Sequence, residues 1–458
     1  MAQTMELKGK KVLVYGTGKS GIGAADLLAA VGAKPVLFDE KLTLNAADIL
    51  AKCAYPDKTD CVIAKYSDEV MDGVEMVVLS PGVPTDLPQV LRMKEAGIPV
   101  IGEVELAYVA GHGTVYAITG TNDKTTTTAL LGKIMKEWHE NTFVVGNIGT
   151  AYTSVVTRTN DDTAIVAEIS SFQLETIDRF HPHVSAILNI TEDHLNRHHT
   201  MAEYNRVKES ITKNQDMSDY VVLNYEDEEL RRFGEEVKAK TNVIYFSSQR
   251  RIPGGIWLDG ERIVCEALGA GDIMSVKEMK IIGTHNHENA MAAIAMAVAA
   301  GVPVSSIVAS VKTFTAVPHR IEFIREVNGV VYYNDSKGTN PDAAIKGIEA
   351  MDRPTLLIGG GYDKGSDYRP WIRAFGNRVK YLVLEAKTRF DIKAQALECG
   401  FPEEKIVLFE TMFEALDFCV AHAAPGDAVL LSPACASWGE FDNYEQRGDR
   451  FRSYVEAL

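Results

Sequence analysis

Two stretches of this 458-residue chain set glycine, hydroxyl and lysine residues where a nucleotide's phosphates could be held. The first, Gly120-Thr121-Asn122-Asp123-Lys124-Thr125-Thr126, follows an apolar run at 115–118 and leads into a helical stretch over 127–138. In a loop of this kind the backbone amides cradle the β- and γ-phosphates, Lys124 neutralises charge, and the next hydroxyl, Thr125, ligates Mg²⁺. ATP is the expected ligand. Asp123 stands where such loops carry glycine. Aspartate tolerates a left-handed backbone better than most residues, but its carboxylate would face anionic phosphate. The second stretch, Gly16-Thr17-Gly18-Lys19-Ser20-Gly21, follows a strand at 11–15 and opens a helix over 22–31. Its glycines permit a tight turn and close approach of a diphosphate to the helix N-terminus. Asp39 ends the next strand, at the spacing where a carboxylate takes a ribose hydroxyl.

A nucleotide site needs oxygen ligands for its metal. Glu168 ends the apolar run around 165–169, where a parallel sheet presents catalytic residues. A second polar cluster, Asn189-Ile190-Thr191-Glu192-Asp193-His194, also follows a strand. His194, His198 and His199 invite a zinc reading. The absence of an HExxH pattern and the phosphate-loop context argue against it, leaving His198 and His199 as surface or packing residues. Two rivals remain. Gly16 to Gly21 with Asp39 fits a nicotinamide-dependent oxidoreductase, which leaves the Lys124 loop and Glu168 without a role. Asp123 is the best support for a non-catalytic nucleotide sensor.

The elements that must position these residues are strand-length apolar runs at 12–15, 36–38, 76–79, 115–118, 165–169, 186–190, 356–358, 381–384 and 428–431, alternating with helix-like stretches. Alternation of this kind predicts α/β units with largely parallel sheets. Turn-rich punctuation around 102–113 and 316–320 divides the chain into residues 1–102, 103–316 and 317–458, each of domain size. Hydrophobic content of 46% and charged content of 24% are globular values. A net charge of −16 disfavours nucleic acid as a partner. The six cysteines form no CxxC pair, so reduced core thiols are expected. Residues 1–11 hold no apolar signal core, and the most apolar stretch, 290–300, is too short to span a bilayer. A cytoplasmic protein with no membrane partner is expected.

Several further motifs occur in order: Glu168-Ile169-Ser170-Ser171-Phe172-Gln173-Leu174-Glu175, Thr284-His285-Asn286-His287-Glu288-Asn289, Pro318-His319-Arg320, Asn334-Asp335-Ser336-Lys337-Gly338-Thr339-Asn340 and Ser432-Pro433-Ala434-Cys435-Ala436-Ser437. With the Gly120 loop and the run ending at His194, they resemble the Mur ligase family over nearly the whole chain. Ser80-Pro81-Gly82-Val83-Pro84 and Glu445-Gln446-Arg447-Gly448 are most similar to the branch that adds D-glutamate. The resemblance implies a Rossmann-like UDP-binding domain (1–102), a central P-loop-type ATPase domain (103–316) and a C-terminal Rossmann-like α/β domain (317–458) that closes on the amino acid. It implies ATP-dependent addition of D-glutamate to UDP-N-acetylmuramoyl-L-alanine through an acyl phosphate, in peptidoglycan precursor synthesis, by a monomer. Gly120 to Thr126, Asn286, Asn289, Arg320, Asp335 and Lys337 would then contact ATP. Thr125, Glu168, His194 and Lys208 would serve two Mg²⁺ sites, with Lys208 carbamylated, and Lys124, His194 and Lys208 would be catalytic. Gly16, Thr17, Gly18, Asp39, Ser80, Gly82 and Asn147 would hold the nucleotide sugar, and Thr339, Lys364, Ser437 and Tyr444 the D-glutamate, with Tyr444 replacing an expected Phe.

Overall fold

The structure, a computed structural model, describes residues 6–315, 317–362 and 365–458. Lys364 lies outside the described residues. Three sheets follow one another along the chain. The first has the order Asp60–Ile63, Lys34–Asp39, Lys11–Tyr15, Met76–Leu79, Val100–Gly102, all parallel. The chain winds outward from Lys11–Tyr15 in both directions, so a crevice opens beyond the C-terminal ends of Lys11–Tyr15 and Met76–Leu79. Gly16 to Gly18 and Ser80 to Pro84 are the residues that follow those two ends.

The second sheet has nine strands: Gly271–Ser275, Arg262–Cys265, Ile256–Asp259, Asn242–Ser247, Tyr220–Asn224, Val184–Ile187, Thr114–Thr119, Ala164–Glu168 and Thr142–Gly146. It is parallel from Thr142–Gly146 through to Ile256–Asp259, which turns into an antiparallel hairpin with Arg262–Cys265. Thr114–Thr119 lies between Ala164–Glu168 and Val184–Ile187, both later in sequence. The loop after Thr119 therefore sits between the ends of its two neighbours. The third sheet pairs Glu322–Val327 antiparallel with Val330–Asn334, then continues parallel through Ala428–Leu431, Thr355–Gly360, Val379–Glu385 and Ile406–Leu408. Central strands such as Met76–Leu79 and Ala428–Leu431 are buried along their length, as expected where helices cover both faces.

The described residues form two compact units. One comprises residues up to Met274 plus Asn289–Ser310 and holds the first two sheets; the other comprises Ser275–Glu288 and Val311–Leu458 and holds the third. All six cysteines are free thiols. The punctuation expected at 102–113 is instead the helix Glu103–Ala110. Its acidic residues look solvent-facing in sequence, yet Glu103 and Glu105 are buried. Glu105 accepts the backbone amides of Asp178, Arg179 and Phe180 at 2.8, 2.7 and 3.0 Å, and Glu103 accepts from Gln173 Nε2 at 2.8 Å. These two carboxylates thus fasten the helix Glu103–Ala110 to the segment after the strand Ala164–Glu168.

The first glycine loop is shaped by contact as well as by dihedral angle. Gly16 has φ +102° and its backbone amide bonds to Phe38 O at 2.8 Å. A Cβ on Gly21 would lie 1.9 Å from Gly16 O, whereas one on Gly18, whose φ is −74°, meets nothing within 4 Å. Gly21→Ala is expected to lower stability by about 1–3 kcal/mol through backbone displacement, and Gly18→Ala by less than about 1 kcal/mol. Urea unfolding of the two variants checks this, and equal effects would show that the loop is not packed as described.

Candidate functional site

The loop from Gly120 to Asp123 is held by the strand end beside it. Thr121 N donates to Asn189 O at 2.9 Å, Asn122 N to Asn189 Oδ1 at 2.8 Å, and Thr121 Oγ1 to Thr191 O at 3.1 Å. Tyr204 OH lies 3.1 Å from the same threonine hydroxyl. Gly120 itself has φ +151°, and Asp123 has φ +68° and caps the helix Lys124–Trp138 without a side-chain bond to its amides. Asp123 thus occupies the left-handed conformation that makes glycine the usual residue there. Thr125 and Thr126 lie in the first turn of that helix, whose free amides favour an anion. Thr127 Oγ1 donates to Asn289 Oδ1 at 3.2 Å, which ties Asn289 to the same helix.

Two lysines converge on one carbonyl oxygen. Lys124 Nζ donates to Gly120 O at 2.8 Å and to Thr121 O at 2.9 Å; Lys208 Nζ donates to the same Gly120 O at 2.8 Å. Lys208 is 1% exposed, and its ammonium sits 4.7 Å above the Tyr204 ring. Burial, and then the charge of Lys124, push the Lys208 amine down to about 6. An interior lysine beside another cation favours its neutral form.

Glu168 closes the strand Ala164–Glu168 and is 2% exposed. Its Oε1 accepts from Asn147 Nδ2 at 2.9 Å, and Asn147 N donates to Glu168 O at 2.8 Å. Glu168 Oε2 is buried without a hydrogen-bond partner. A buried carboxylate oxygen left bare beside a phosphate-type loop fits a hard cation such as Mg²⁺, which takes oxygen ligands. Among the described residues no three His, Cys, Asp or Glu side chains form a cage for a metal, so the donor set needs the hydroxyl of Thr125, a modified lysine or the nucleotide's own oxygens. His194 has φ +54°, its ring 4.8 Å from that of Phe172, with Asp193 Oδ2 3.4 Å from Nε2. His198 is buried against Ser171 Oγ and Glu175, while His199 is exposed beside Asp86.

In the first sheet's crevice, Asp39 Oδ2 accepts from Thr17 N at 3.2 Å and Thr17 Oγ1 at 2.9 Å, so this carboxylate shapes the glycine loop. Ser80 Oγ donates to Gly16 O at 3.1 Å, linking the two loops of the crevice, and Gly82 stands in open space. Sequence reasoning missed the Arg197–Glu175 pair. Arg197 Nε reaches both Glu175 oxygens at 3.1 and 3.2 Å, Nη2 donates to Val83 O at 2.9 Å, and the guanidinium lies 5.0 Å from the Phe172 ring centre. One side chain thereby joins the Ser80–Pro84 loop to the ring against which His194 rests. The only signal was its place three residues after His194.

In the other unit, Asp335 is buried, with Ser432 Oγ donating to it at 2.7 Å and Ile321 N at 3.3 Å. Burial pushes its carboxyl up to about 7 against the opposing pull of Ser432 and Arg320. The Lys337 ammonium stands 5.6 Å from the Tyr444 ring centre, and Arg320 also acts on that phenol, which burial raises to about 12. Arg320, Asp335, Lys337 and Tyr444 are therefore neighbours. Asn286 Nδ2 donates to Ile282 O at 2.7 Å. Thr339 is half-buried at the end of the loop after Val330–Asn334, and Ser437 is buried beyond Ala428–Leu431.

Residues 10–102 match the Mur ligase MurD-like N-terminal domain, 118–297 the Mur ligase middle domain, and 319–435 the Mur ligase glutamate ligase domain. The UDP-N-acetylmuramoylalanine--D-glutamate ligase of Lachnospira eligens is 52% identical over 455 residues, covering 99% of this chain and 100% of the relative. The protein of the same name from Lachnoclostridium phytofermentans is 50% identical, covering 99% of each. The crystal structure of UDP-N-acetylmuramate-alanine ligase from Thermotoga maritima shares the fold at a TM-score of 0.60 and 17% identity, over 98% of this chain and 99% of that one. The chain belongs to the Mur ligase family.

Proposed function

We propose that the protein joins D-glutamate to UDP-N-acetylmuramoyl-L-alanine at the expense of ATP, as a monomeric cytoplasmic enzyme of peptidoglycan precursor synthesis. The observation that carries the reading is the phosphate loop with two lysines on Gly120 O, beside a bare, buried oxygen of Glu168. A nicotinamide enzyme has no use for that constellation. No helix among the described residues is long and apolar enough to cross a membrane.

A carboxylate is a poor electrophile, so the alanyl carboxylate must first be phosphorylated by ATP. The loop amides and Lys124 offset the charge that gathers as two anions approach, which is the main demand of phosphoryl transfer. Bound Mg²⁺ would supply further charge neutralisation, with Glu168, Thr125 and His194 as its protein ligands. Gly16 to Gly18, Ser80, Gly82, Asp39 and Asn147 would hold the nucleotide sugar. Thr339, Ser437 and Tyr444, with Lys364, would hold D-glutamate while its amine attacks the acyl phosphate and phosphate leaves. Lys208 would carry a carbamate: its nitrogen shares an acceptor with Lys124, and conversion to an anion replaces two like charges by an attractive pair.

Phosphate release is expected to require ATP, UDP-N-acetylmuramoyl-L-alanine and D-glutamate together, with L-lysine, meso-diaminopimelate and L-alanine inactive. Release that ignores D-glutamate would refute the assignment. Glu168→Gln keeps the Asn147 bond but weakens a metal ligand, and is expected to lower kcat/KM by about 10²-fold or more with the fold intact; activity within twofold of wild type would remove Glu168 from the site. Labelled bicarbonate should give a carbamate resonance in the wild type that Lys208→Met abolishes, and no resonance in the wild type would leave Lys208 unmodified. Asp123→Gly should tighten ATP binding about two- to fivefold, the scale of a charge at a helix N-terminus, by removing a carboxylate that would face the anionic phosphates and by relieving a left-handed non-glycine residue. Unchanged or weaker binding in titration calorimetry would count against the phosphate-loop role of residues 120–126.

A further inference from the structure

Arg447 begins the Arg-Gly pair that ends the motif at 445–448, and nothing in the proposed chemistry uses it. Its side chain is 0% exposed. Nε donates to Ser336 Oγ at 2.9 Å, and Nη2 donates to Ser336 O at 2.9 Å and to Cys435 O at 3.2 Å. The Ser336 hydroxyl in turn donates to Tyr444 O at 2.8 Å. One guanidinium and the serine it grips thus bind three chain segments. These are the loop running to Thr339, the loop running to Ser437, and the start of the helix Tyr444–Glu456.

Nη1 of Arg447 is buried with no hydrogen-bond partner, as is Oε2 of Glu385 at the end of Val379–Glu385. Burying a guanidinium with an idle donor costs more than burying an apolar side chain of like volume. Costs of that kind are tolerated at sites where geometry matters for function. Lysine cannot replace the fork, because its single nitrogen cannot reach a hydroxyl and two carbonyls from one rigid plane.

We infer that Arg447 is a positioning residue for the amino-acid substrate: its bonds to Ser336 and Cys435 fix the relative placement of Thr339, Ser437 and Tyr444. The inference rests on the reading of those three residues as D-glutamate contacts. Its scope is narrower than that of the ligase assignment, since the expected nucleotide-sugar residues belong to the other compact unit.

The test is steady-state kinetics of Arg447→Lys, Arg447→Met and Ser336→Ala in the full-length enzyme at saturating ATP. For the two arginine variants the apparent KM for D-glutamate should rise about tenfold or more, as small misplacements of binding groups cost such factors. Lysine should not rescue it, and the KM for UDP-N-acetylmuramoyl-L-alanine should stay within about twofold. Ser336→Ala, which deletes only a hydroxyl, should raise the D-glutamate KM about threefold and carries the test if the arginine variants do not fold. A merely structural arginine would lower the unfolding temperature or kcat and leave the D-glutamate KM unmoved. That result, or an equal rise in both KM values, overturns the inference. Absence of D-glutamate dependence in the wild type would instead refute the substrate reading, so the two failures are distinct.

Discussion

The carbonyl oxygen of Gly120 is the point on which the catalytic half of the molecule is built. Two buried or half-buried lysines reach it at 2.8 Å each, so their nitrogens lie within about 6 Å of one another. Two full positive charges at that separation repel by a few kcal/mol even at an effective dielectric near 20. Burial, together with the charge of Lys124, relieves this by favouring the neutral form of the Lys208 amine. The sheet order creates the convergence. Because Thr114–Thr119 lies between Ala164–Glu168 and Val184–Ile187, its loop emerges beside Glu168 on one side and Asn189 on the other.

Sequence made the position of these loops legible because it depends on local features: glycines at turns, a lysine at the start of a helix, a carboxylate at a strand end. The strands at 76–79 and 428–431 coincide with the apolar runs that suggested them, since a parallel strand buried on both faces reads as continuous hydrophobicity. The run at 186–190 is shifted, the strand being Val184–Ile187, because beyond it Asn189 turns to bond the phosphate loop and Ile190 N bonds Asp227 instead of a neighbouring strand. The central strands Tyr220–Asn224, Asn242–Ser247 and Val330–Asn334 went unread because a polar residue or a loop signal stands close beside each run, and so did the hairpin Ile256–Asp259 with Arg262–Cys265 and the edge strands. The hairpin and edge strands are short, half-exposed or polar, and their identity lies in which strand stands beside them.

Buried polar residues were the least legible part. Glu105 in the helix Glu103–Ala110 and Arg447 in Tyr444–Glu456 are charged residues of the kind found on solvated surfaces, yet each is buried and bonded to several backbone groups. A charged side chain inside a helix reads as surface unless its partners are known, and most of those partners lie about 70 to 110 residues away in sequence. Asp39 shows the converse. Its spacing suggested a ribose acceptor, and one of its oxygens is engaged with Thr17, a partner that sequence spacing alone did not indicate.

The same buried contacts explain why the first two sheets make one unit. Glu105 takes three backbone amides beyond Glu175, Glu103 takes Gln173, and Arg197 spans Glu175 and Val83 O. A capped carboxylate and a bidentate pair sheltered from water resist shear better than exposed pairs, which solvent screens. The distance from the Ser80 loop to Glu168 is therefore set by packing instead of by a linker. The Ser80 loop, Glu168 and the Gly120 loop are thereby held within one compact unit. In the other unit a single guanidinium does comparable work, Arg447 tying the loops at Ser336 and Cys435 to the start of the helix Tyr444–Glu456.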